Sequence, residues 1–394
     1  MKKSVSGRWA VLTGIAFLVC AGCGPGHPSA ARDGRAAGSS VPPTTSGTVP
    51  PGSLPTASAS TQPPLLSTTL ATRPPPTVAI LRTTPSSRAP AAVPTTRPAV
   101  TATGPSIAGC PVFPADNAWN TDVSNLPVDQ HSAAWLANSG GSGLRIHPDF
   151  GDSGTSVPYG IPFIVTNASH PKVSITFDYA DESDQGPYPF GPDTPIEGGA
   201  GSGGDQHAIM MDSSTCTLYE LYDANYSAGG STAGSGAIWN LRSDALRPSG
   251  WTSADAAGLP ILPGLLRQDE VAAGYVGHAI RMTVQTTDKT FIWPARHQAG
   301  SVTDPNYSPM GARFRLKSSV DISRFSRDTQ VVLTAMKHFG LIVADNGSNW
   351  YFQGAAQPGW DNTMLDELKS IPVGDFEAVN TASLVIDPNS GAAR

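Results

Sequence analysis

Two histidine-led segments carry the residue types best suited to catalysis in this chain. The phrase His-Ala-Ile-x-Met occurs twice, starting at His207 and at His278. A carboxylate, Glu220, follows the first phrase, and another histidine, His297, follows the second. Imidazole and carboxyl groups are the commonest general acids and bases in enzymes. These four positions are therefore the first candidates for a catalytic site.

Each phrase predicts the first strand of a β-hairpin. In the first hairpin, a two-residue loop places His207 opposite Glu220, and a four-residue loop shifts the partners by two. Both registers keep His207, Glu220 and Tyr222 on one face, because strand side chains alternate. In the second hairpin, His278 lies opposite His297. We therefore expect the histidines and Glu220 to meet in a cleft at one rim of a sheet.

Glycoside hydrolysis is the chemistry that these residue types favour. It requires one protonated and one ionised carboxyl group beside the scissile bond. Glu220 with Asp205 or Asp223 supplies such a pair, and His207 would tune the protonation of Glu220. His278 completes the predicted catalytic set. The predicted substrate-binding residues are His297, Arg296, Tyr222, Trp239 and Trp293. The expected substrate is a neutral cell-wall or plant polysaccharide.

Three other functions use the same residues. A lyase would use His278 and Tyr222 as base and acid, with Arg296 neutralising a uronate. A non-catalytic carbohydrate- or partner-binding module needs only the aromatic side chains. A metal-dependent jelly-roll enzyme would use three histidines and a glutamate as ligands. The close HxH or HExxH spacings of strong metal motifs are missing, so we predict neither a metal nor another cofactor.

Strand signals dominate the elements that must position these residues. Alternating or β-branched runs bounded by turn residues predict strands at 173–180, 207–212, 217–224, 278–285 and 290–296, and a hairpin within 341–354. Helical patterns occur at 131–138, 328–340 and 363–371. The long Gly/Pro-rich loop at 184–205 has the length of a functional loop. The predicted fold is mainly β, an antiparallel β-sandwich of jelly-roll type with a few peripheral helices.

The N-terminal region predicts export and a lipid anchor. Residues 1–23 combine Lys2, Lys3 and Arg8 with a short apolar run and end in LVCAGC, which resembles a lipobox with Cys23 as the lipidated cysteine. Residues 24–108 lack Phe, Trp and Tyr, and 17 of them are proline. Such a composition predicts a disordered tether. We expect a folded domain at 109–394, held outside the cell membrane in or beyond the cell wall.

Charge and cysteine content narrow the partners. Residues 1–108 contain 9 Lys/Arg and one acid, whereas 109–394 contain 16 Lys/Arg and 30 Asp/Glu. This acidic domain disfavours nucleic acid and anionic polymers as ligands. We expect a monomer that contacts the membrane only through its lipid. Cys20 is removed with the signal peptide, so Cys110 and Cys216 are predicted to form a disulfide.

Several phrases of the folded part also carry a resemblance. They are FPADNAWNTDV (113–123), FDYADESDQGPYPF (177–190), LRPSGWTSADAAGLPILPGLLRQDE (246–270) and ADNGSNWY (344–351). With these phrases the chain resembles a family of uncharacterised secreted bacterial proteins, many of them actinobacterial. The resemblance covers nearly all of 109–394. It implies no particular activity, so the functional predictions rest on the residues alone.

Overall fold

The computed structural model describes residues 104–153 and 159–394. The predicted signal peptide, Cys23 and the predicted tether as far as residue 103 lie outside the described residues. Within the described residues the protein is mainly β, with several sheets and few helices. This confirms the predicted fold class at the level of secondary structure.

The larger sheet has six strands, in the order β14-β11-β12-β10-β13-β3. The bounds of its strands are β3 His147–Pro148, β10 Ile280–Val284, β11 Arg313–Leu316, β12 Leu341–Asn346, β13 Tyr351–Phe352 and β14 Phe376–Val379. Every residue of β10 is buried, because strands pair on both of its edges and both of its faces are covered. The sheet thus holds β10 as a rigid central element.

The second sheet has four strands, in the order β4-β6-β7-β9. Two further pairs, β1-β2 and β5-β8, form small sheets. The bounds of these strands are β1 Ser106–Ile107, β2 Cys110–Pro111, β4 Phe163–Thr166, β5 Ile175–Phe177, β6 Ala208–Asp212, β7 Thr217–Tyr222, β8 Ser231–Ala233 and β9 Ser235–Asn240. β6 and β7 form the first predicted hairpin. Asp212 pairs with Thr217, so the four-residue loop is the correct alternative.

Four α-helices pack around these sheets in the described residues, namely α1 Ser132–Asn138, α2 Gln268–Ala273, α3 Arg327–His338 and α4 Asn362–Leu368. The predictions for α1, α3 and α4 are confirmed, whereas α2 was not predicted. α3 buries one face that includes Val332, Leu333 and Met336. Gly340, with φ +70°, follows its C-terminus, as the helical pattern predicts. None of the helices in residues 104–153 and 159–394 is both long and apolar enough to span a bilayer.

The disulfide between Cys110 and Cys216 is present as predicted. It joins β2 to the end of the loop that leads into β7, across a sequence separation of 106 residues. Both cysteines are buried in the main hydrophobic core, which also contains Ile280, Phe314 and Trp350. The bond therefore ties the start of the folded region to the four-stranded sheet.

Three details of the predicted architecture are wrong. Parallel pairs occur between β10 and β12, β13 and β3, β4 and β6, and β5 and β8, so the sheets are mixed rather than wholly antiparallel. Residues 290–296 form no strand beside β10, because β12 and β13 already occupy both of its edges. The hairpin predicted within 341–354 is also absent, because β10 lies between β12 and β13 in the sheet.

Candidate functional site

A cleft of about 310 Å³ lies where the end of β10 meets the segment that precedes β6. This volume is at the lower end of the range of about 300–1,000 Å³ that is usual for small-molecule sites. Four carboxyl side chains, one imidazole and one guanidinium line the cleft: Asp149, Glu197, Asp205, Asp345, His207 and Arg281. Polar groups of this density make the cleft the best candidate site in the described part of the chain.

The parallel pairing of β10 and β12 positions one wall. Thr283 pairs with Asp345 after an irregularity in register that follows Met282. The chain then turns at Gly347, where an added Cβ would approach Oγ1 of Thr283 to 3.0 Å. The Thr283 hydroxyl donates to the carbonyl of Ser348 at 2.7 Å, which fixes this turn against the strand. The carboxyl ends of both strands therefore meet at the cleft, a common place for ligand sites in parallel sheets.

A buried ion pair forms the base of this wall. Arg281 donates through Nε and Nη2 to the two carboxylate oxygens of Asp255, at 2.8 and 2.7 Å. The side chains are 3% and 0% exposed, respectively. This two-bond geometry holds the guanidinium in one orientation. The nearby carboxylates, Asp255 first among them, raise the pKa of Arg281 above its usual value despite burial, so its charge is permanent.

Asp345 is the carboxyl group of the cleft that most favours the protonated form. Burial first, and then the negative charge of Asp255, raise the pKa of Asp345 well above its ordinary value. Its Oδ2 lies 3.9 Å from Nη2 of Arg281, too far for a hydrogen bond. The side chain is 17% exposed, so it is still reachable from the cleft. Asp345 can therefore donate a proton to a bound ligand.

Glu197 and His207 form the opposite pair, which favours the ionised carboxylate. Nδ1 of His207 lies 2.6 Å from Oε2 of Glu197, and Nε2 lies 3.0 Å from the carbonyl of Ala254. Because both partners accept hydrogen bonds, both ring nitrogens carry protons and the ring is an imidazolium. Although burial alone would lower it, the negative charge of Glu197 raises the pKa of His207 to about 9. His207 in turn lowers the pKa of Glu197 against the effect of burial.

His207 is therefore a positioning group and not a free base. Its side chain is 3% exposed, whereas that of Glu197 is 30% exposed. The backbone N–H of Glu197 also donates to the carbonyl of His207 at 2.9 Å, which closes a second contact between the two residues. The group presented to the cleft by this pair is thus the carboxylate.

Asp149 lines the cleft and is contacted by Tyr159, which lies outside the lining. The Tyr159 hydroxyl donates to Oδ1 of Asp149, and Nε2 of Gln353 lies 3.5 Å from Oδ2. Tyr351 also lines the cleft, and its ring stacks on that of His147 with 4.1 Å between centroids. Burial, and secondarily the charges of Asp205 and Asp223, raise the pKa of Tyr222 to about 12. Tyr351 is the aromatic residue of the lining, and Tyr222, which was predicted to bind substrate, lies outside it.

Of the predicted catalytic residues, Asp205 and His207 line the cleft. Glu220 lies outside its lining and is fully buried. Its carboxylate accepts hydrogen bonds from the backbone N–H groups of Ile261 and Leu262 at 2.9–3.0 Å. Burial raises the pKa of Glu220 to about 7 against the effect of these two donors. Glu220 therefore holds the backbone of residues 261–262 in place.

His278 and His297, the other two histidines of the predicted site, lie outside the lining of the cleft. His278 is fully buried, with Nε2 3.0 Å from Oε2 of Glu270 and Nδ1 2.7 Å from the carbonyl of Ala279. Nδ1 of His297 lies 2.8 Å from the carbonyl of Ala256. The expectation that the three histidines and Glu220 meet in one cleft is therefore wrong, because only His207 among them lines it. The second histidine-led strand contributes Arg281 to the cleft instead of His278.

The other predicted site residues also lie outside the lining of the cleft. Arg296 is buried, and its guanidinium donates to the carbonyls of Arg247 and Pro388. Asp223 is exposed and accepts from Nε2 of Gln206 at 3.1 Å. Trp239 is buried, and Trp293 donates through Nε1 to the carbonyl of Ser390. In residues 104–153 and 159–394, no group of three or more His, Cys, Asp or Glu side chains is arranged to hold a metal ion.

Four lining residues with acidic or basic side chains, Asp149, Glu197, Arg281 and Asp345, were absent from the predicted site. Glu197 belongs to the loop at 184–205, whose length did indicate function. Asp345 follows the buried run 341–344 and directly precedes the Asn-Gly pair 346–347, a turn signal that marks the end of a strand. Comparison with known protein families, curated proteins and solved structures found no match to this chain.

Proposed function

We propose that this protein is a glycoside hydrolase that acts at the cleft, with Asp345 as the general acid and Glu197 as the base or nucleophile. The observation that carries the proposal is a pair of carboxyl groups in one cleft whose surroundings favour opposite protonation states. Asp345 is held protonated by burial and by Asp255, while Glu197 is held ionised by His207. Glycosidases depend on this division between two carboxyl groups.

Each group has a definite task in this mechanism. Asp345 donates its proton to the glycosidic oxygen, so that the leaving sugar departs as a neutral alcohol. Glu197 either attacks the anomeric carbon or removes a proton from the attacking water. His207 holds the Glu197 carboxylate in place through its 2.6 Å contact. Arg281 is held in one orientation by Asp255, whose carboxylate balances its charge, and its Nη2 lies 3.9 Å from Oδ2 of Asp345 at the base of the cleft wall.

The lining also supports a polysaccharide without negative charges as the substrate. Four carboxyl groups line the cleft, against one imidazole and one guanidinium. A uronate would be repelled by them, whereas a neutral cell-wall or plant glycan would not. The ring of Tyr351 offers an apolar face against which a sugar ring can pack. This role replaces the one predicted for Trp239 and Trp293.

The cellular setting that we propose comes from the sequence. Lipidation at Cys23 would attach the chain to the outer face of the cell membrane, and residues 24–108 would let the domain reach into or beyond the cell wall. We further propose that the protein belongs with the secreted bacterial proteins it resembles, acts as a monomer and does not bind nucleic acid. An extracytoplasmic glycosidase would meet its polymeric substrate there directly.

Reducing-end release from a panel of neutral polysaccharides tests this function. With the best substrate, Asp345→Asn and Glu197→Gln should each lower kcat/KM by about 100- to 10,000-fold, the usual worth of general acid–base catalysis. Glu377→Gln is the matched control. Glu377 is half-buried and paired with Arg315, as Glu197 is paired with His207, but it lies outside the lining of the cleft.

Three outcomes separate the possible functions. Loss of turnover in both cleft variants, with an unaffected Glu377→Gln, supports the proposed mechanism. Retention on a glycan column without any release of reducing ends would instead show the non-catalytic binding module. Turnover that survives in both cleft variants would place the chemistry elsewhere.

A further inference from the structure

The charges around the cleft do not balance. Glu197 is neutralised by His207, and Arg281 is neutralised by Asp255. Asp149 and Asp205 have no cationic side chain within ion-pair distance among the described residues of the chain. Two carboxylates of the cleft therefore have no ion-pair partner of their own.

Gln353 gives a second and independent indication of a ligand. This residue lines the cleft and is 5% exposed. Its Nε2 faces Oδ2 of Asp149, and its Oε1 is buried without a hydrogen-bond donor in the described part of the structure. If the amide of Gln353 were flipped, its Oε1 would face the Asp149 carboxylate, and two acceptors would then repel each other. The atom without a partner is therefore the amide oxygen, which is a hydrogen-bond acceptor. A buried acceptor without a donor is costly unless a ligand supplies one.

We propose that the cleft contains a subsite for a sugar with a free, positively charged amino group, held by Asp149 and Asp205 with Gln353 as an additional acceptor. This inference rests on the proposed glycoside hydrolysis and narrows its substrate to an otherwise neutral polysaccharide that contains unacetylated amino sugars. An ammonium group carries three N–H donors and no acceptor. It therefore matches a subsite made of two carboxylates and one amide oxygen.

The ligands that compete for this subsite differ in the chemistry they offer. A hydroxyl group supplies one donor and no charge, so it leaves both carboxylates uncompensated. An acetamide is neutral and adds a methyl group beside the carboxylates. A carboxylate or sulfate on the sugar would be repelled. The subsite thus discriminates at a single substituent of the sugar ring.

Three tetrasaccharides with the same β-1,4 backbone provide the test, because they differ only at C2: a tetramer of glucosamine, of N-acetylglucosamine and of glucose. Binding to the full chain is measured by titration calorimetry at low salt and about pH 5.5, at which the amino groups of the glucosamine tetramer carry their positive charge. The glucosamine tetramer should bind about tenfold more tightly than the other two, since each exposed charge pair contributes up to about fivefold. Added salt should reduce that preference.

Asp205→Asn is the informative variant, because Asp205 is exposed and accepts no side-chain hydrogen bond that folding requires. It should lower the affinity for the glucosamine tetramer by about fivefold and leave that for the glucose tetramer unchanged. Asp181→Asn removes the same charge from an exposed position outside the cleft and should change neither. Equal affinities for the three tetramers, or the same preference in Asp205→Asn, would overturn the subsite.

These results remain distinct from those that test hydrolysis. A preference for the glucosamine tetramer without release of reducing ends retains the amine subsite and removes the catalytic proposal. Hydrolysis with no preference among the tetramers retains the catalytic proposal and removes the amine subsite.

Discussion

The contact between His207 and Glu197 makes the stability of the domain depend on pH in a defined direction. The pKa of His207 rises from 6.5 to about 9 on folding, chiefly because Glu197 lies 2.6 Å away. A group whose pKa is raised on folding stabilises the folded state fully below its unfolded pKa, and that contribution is lost as pH rises through the folded pKa. At about 1.4 kcal/mol per pH unit, the difference between the unfolded and folded pKa values of His207 corresponds to roughly 3 kcal/mol in the free energy of unfolding.

Urea denaturation of the wild-type protein and of Glu197→Gln, with the disulfide intact, measures this contribution. At pH 6 the variant should be less stable, because the buried imidazolium has lost its counter-charge. Between pH 6.5 and about 9.5 the difference in the free energy of unfolding should shrink by about 3 kcal/mol. Glu220 and Asp345 also have raised pKa values and change wild-type stability with pH. Comparing the two proteins removes most of that common background.

Glu377→Gln is again the control. The partner of Glu377 is Arg315, 2.8 Å away, and this pair contains no histidine. Its stability difference from wild type should therefore be constant between pH 6.5 and 9.5. A difference between Glu197→Gln and wild type that is equally constant would refute the assignment of a charged His207.

Three further predictions concern groups that support the cleft. Arg281→Met leaves Asp255 buried and unpaired and should lower the free energy of unfolding by about 3–5 kcal/mol. Adding Asp255→Asn to this variant should recover part of the loss. An Arg281→Met variant whose stability lies within about 1 kcal/mol of wild type would contradict the pairing. Replacing both Cys110 and Cys216 by serine should cost about 4–5 kcal/mol in the same assay, because the bond closes a long loop; an unchanged denaturation midpoint would show that the cross-link does not constrain the unfolded chain. Burial raises the pKa of Glu220 to about 7 from 4.5, so wild-type stability should fall by roughly 3 kcal/mol between pH 4.5 and 8 from this group, and Glu220→Gln should not show that fall. Parallel stability curves for these two proteins would rule out a titrating Glu220.

The sequence predicted the local elements better than their arrangement. The hairpin of β6 and β7 was correct, because a short loop and period-two alternation specify an antiparallel pair. β10 was correctly predicted as a strand, but its partners were wrong. They are β12, about 60 residues further on, and β13, and this long-range pairing has no signature in local alternation.

The predicted site was partly correct for the same reason. Asp205 and His207 lie in the cleft, whereas Glu220 accepts backbone hydrogen bonds outside it. A carboxylate within a strand looks the same in sequence whether it faces a cleft or supports a neighbouring loop. Asp345 was missed because its importance depends on the approach of β12 to Arg281, which only the assembled sheet brings about.

The most direct test of the proposed catalysis is the pH dependence of reducing-end release by the wild-type protein and Asp345→Asn on the best neutral or amino-sugar glycan. We predict a bell-shaped profile of kcat/KM for the wild type. Activity should rise as Glu197 ionises and should fall on the alkaline side as Asp345 loses its proton. Asp345→Asn should retain little activity and should lack the alkaline fall. No release at any pH, or an alkaline fall that is the same in Asp345→Asn, would contradict the assignment of Asp345 as the acid.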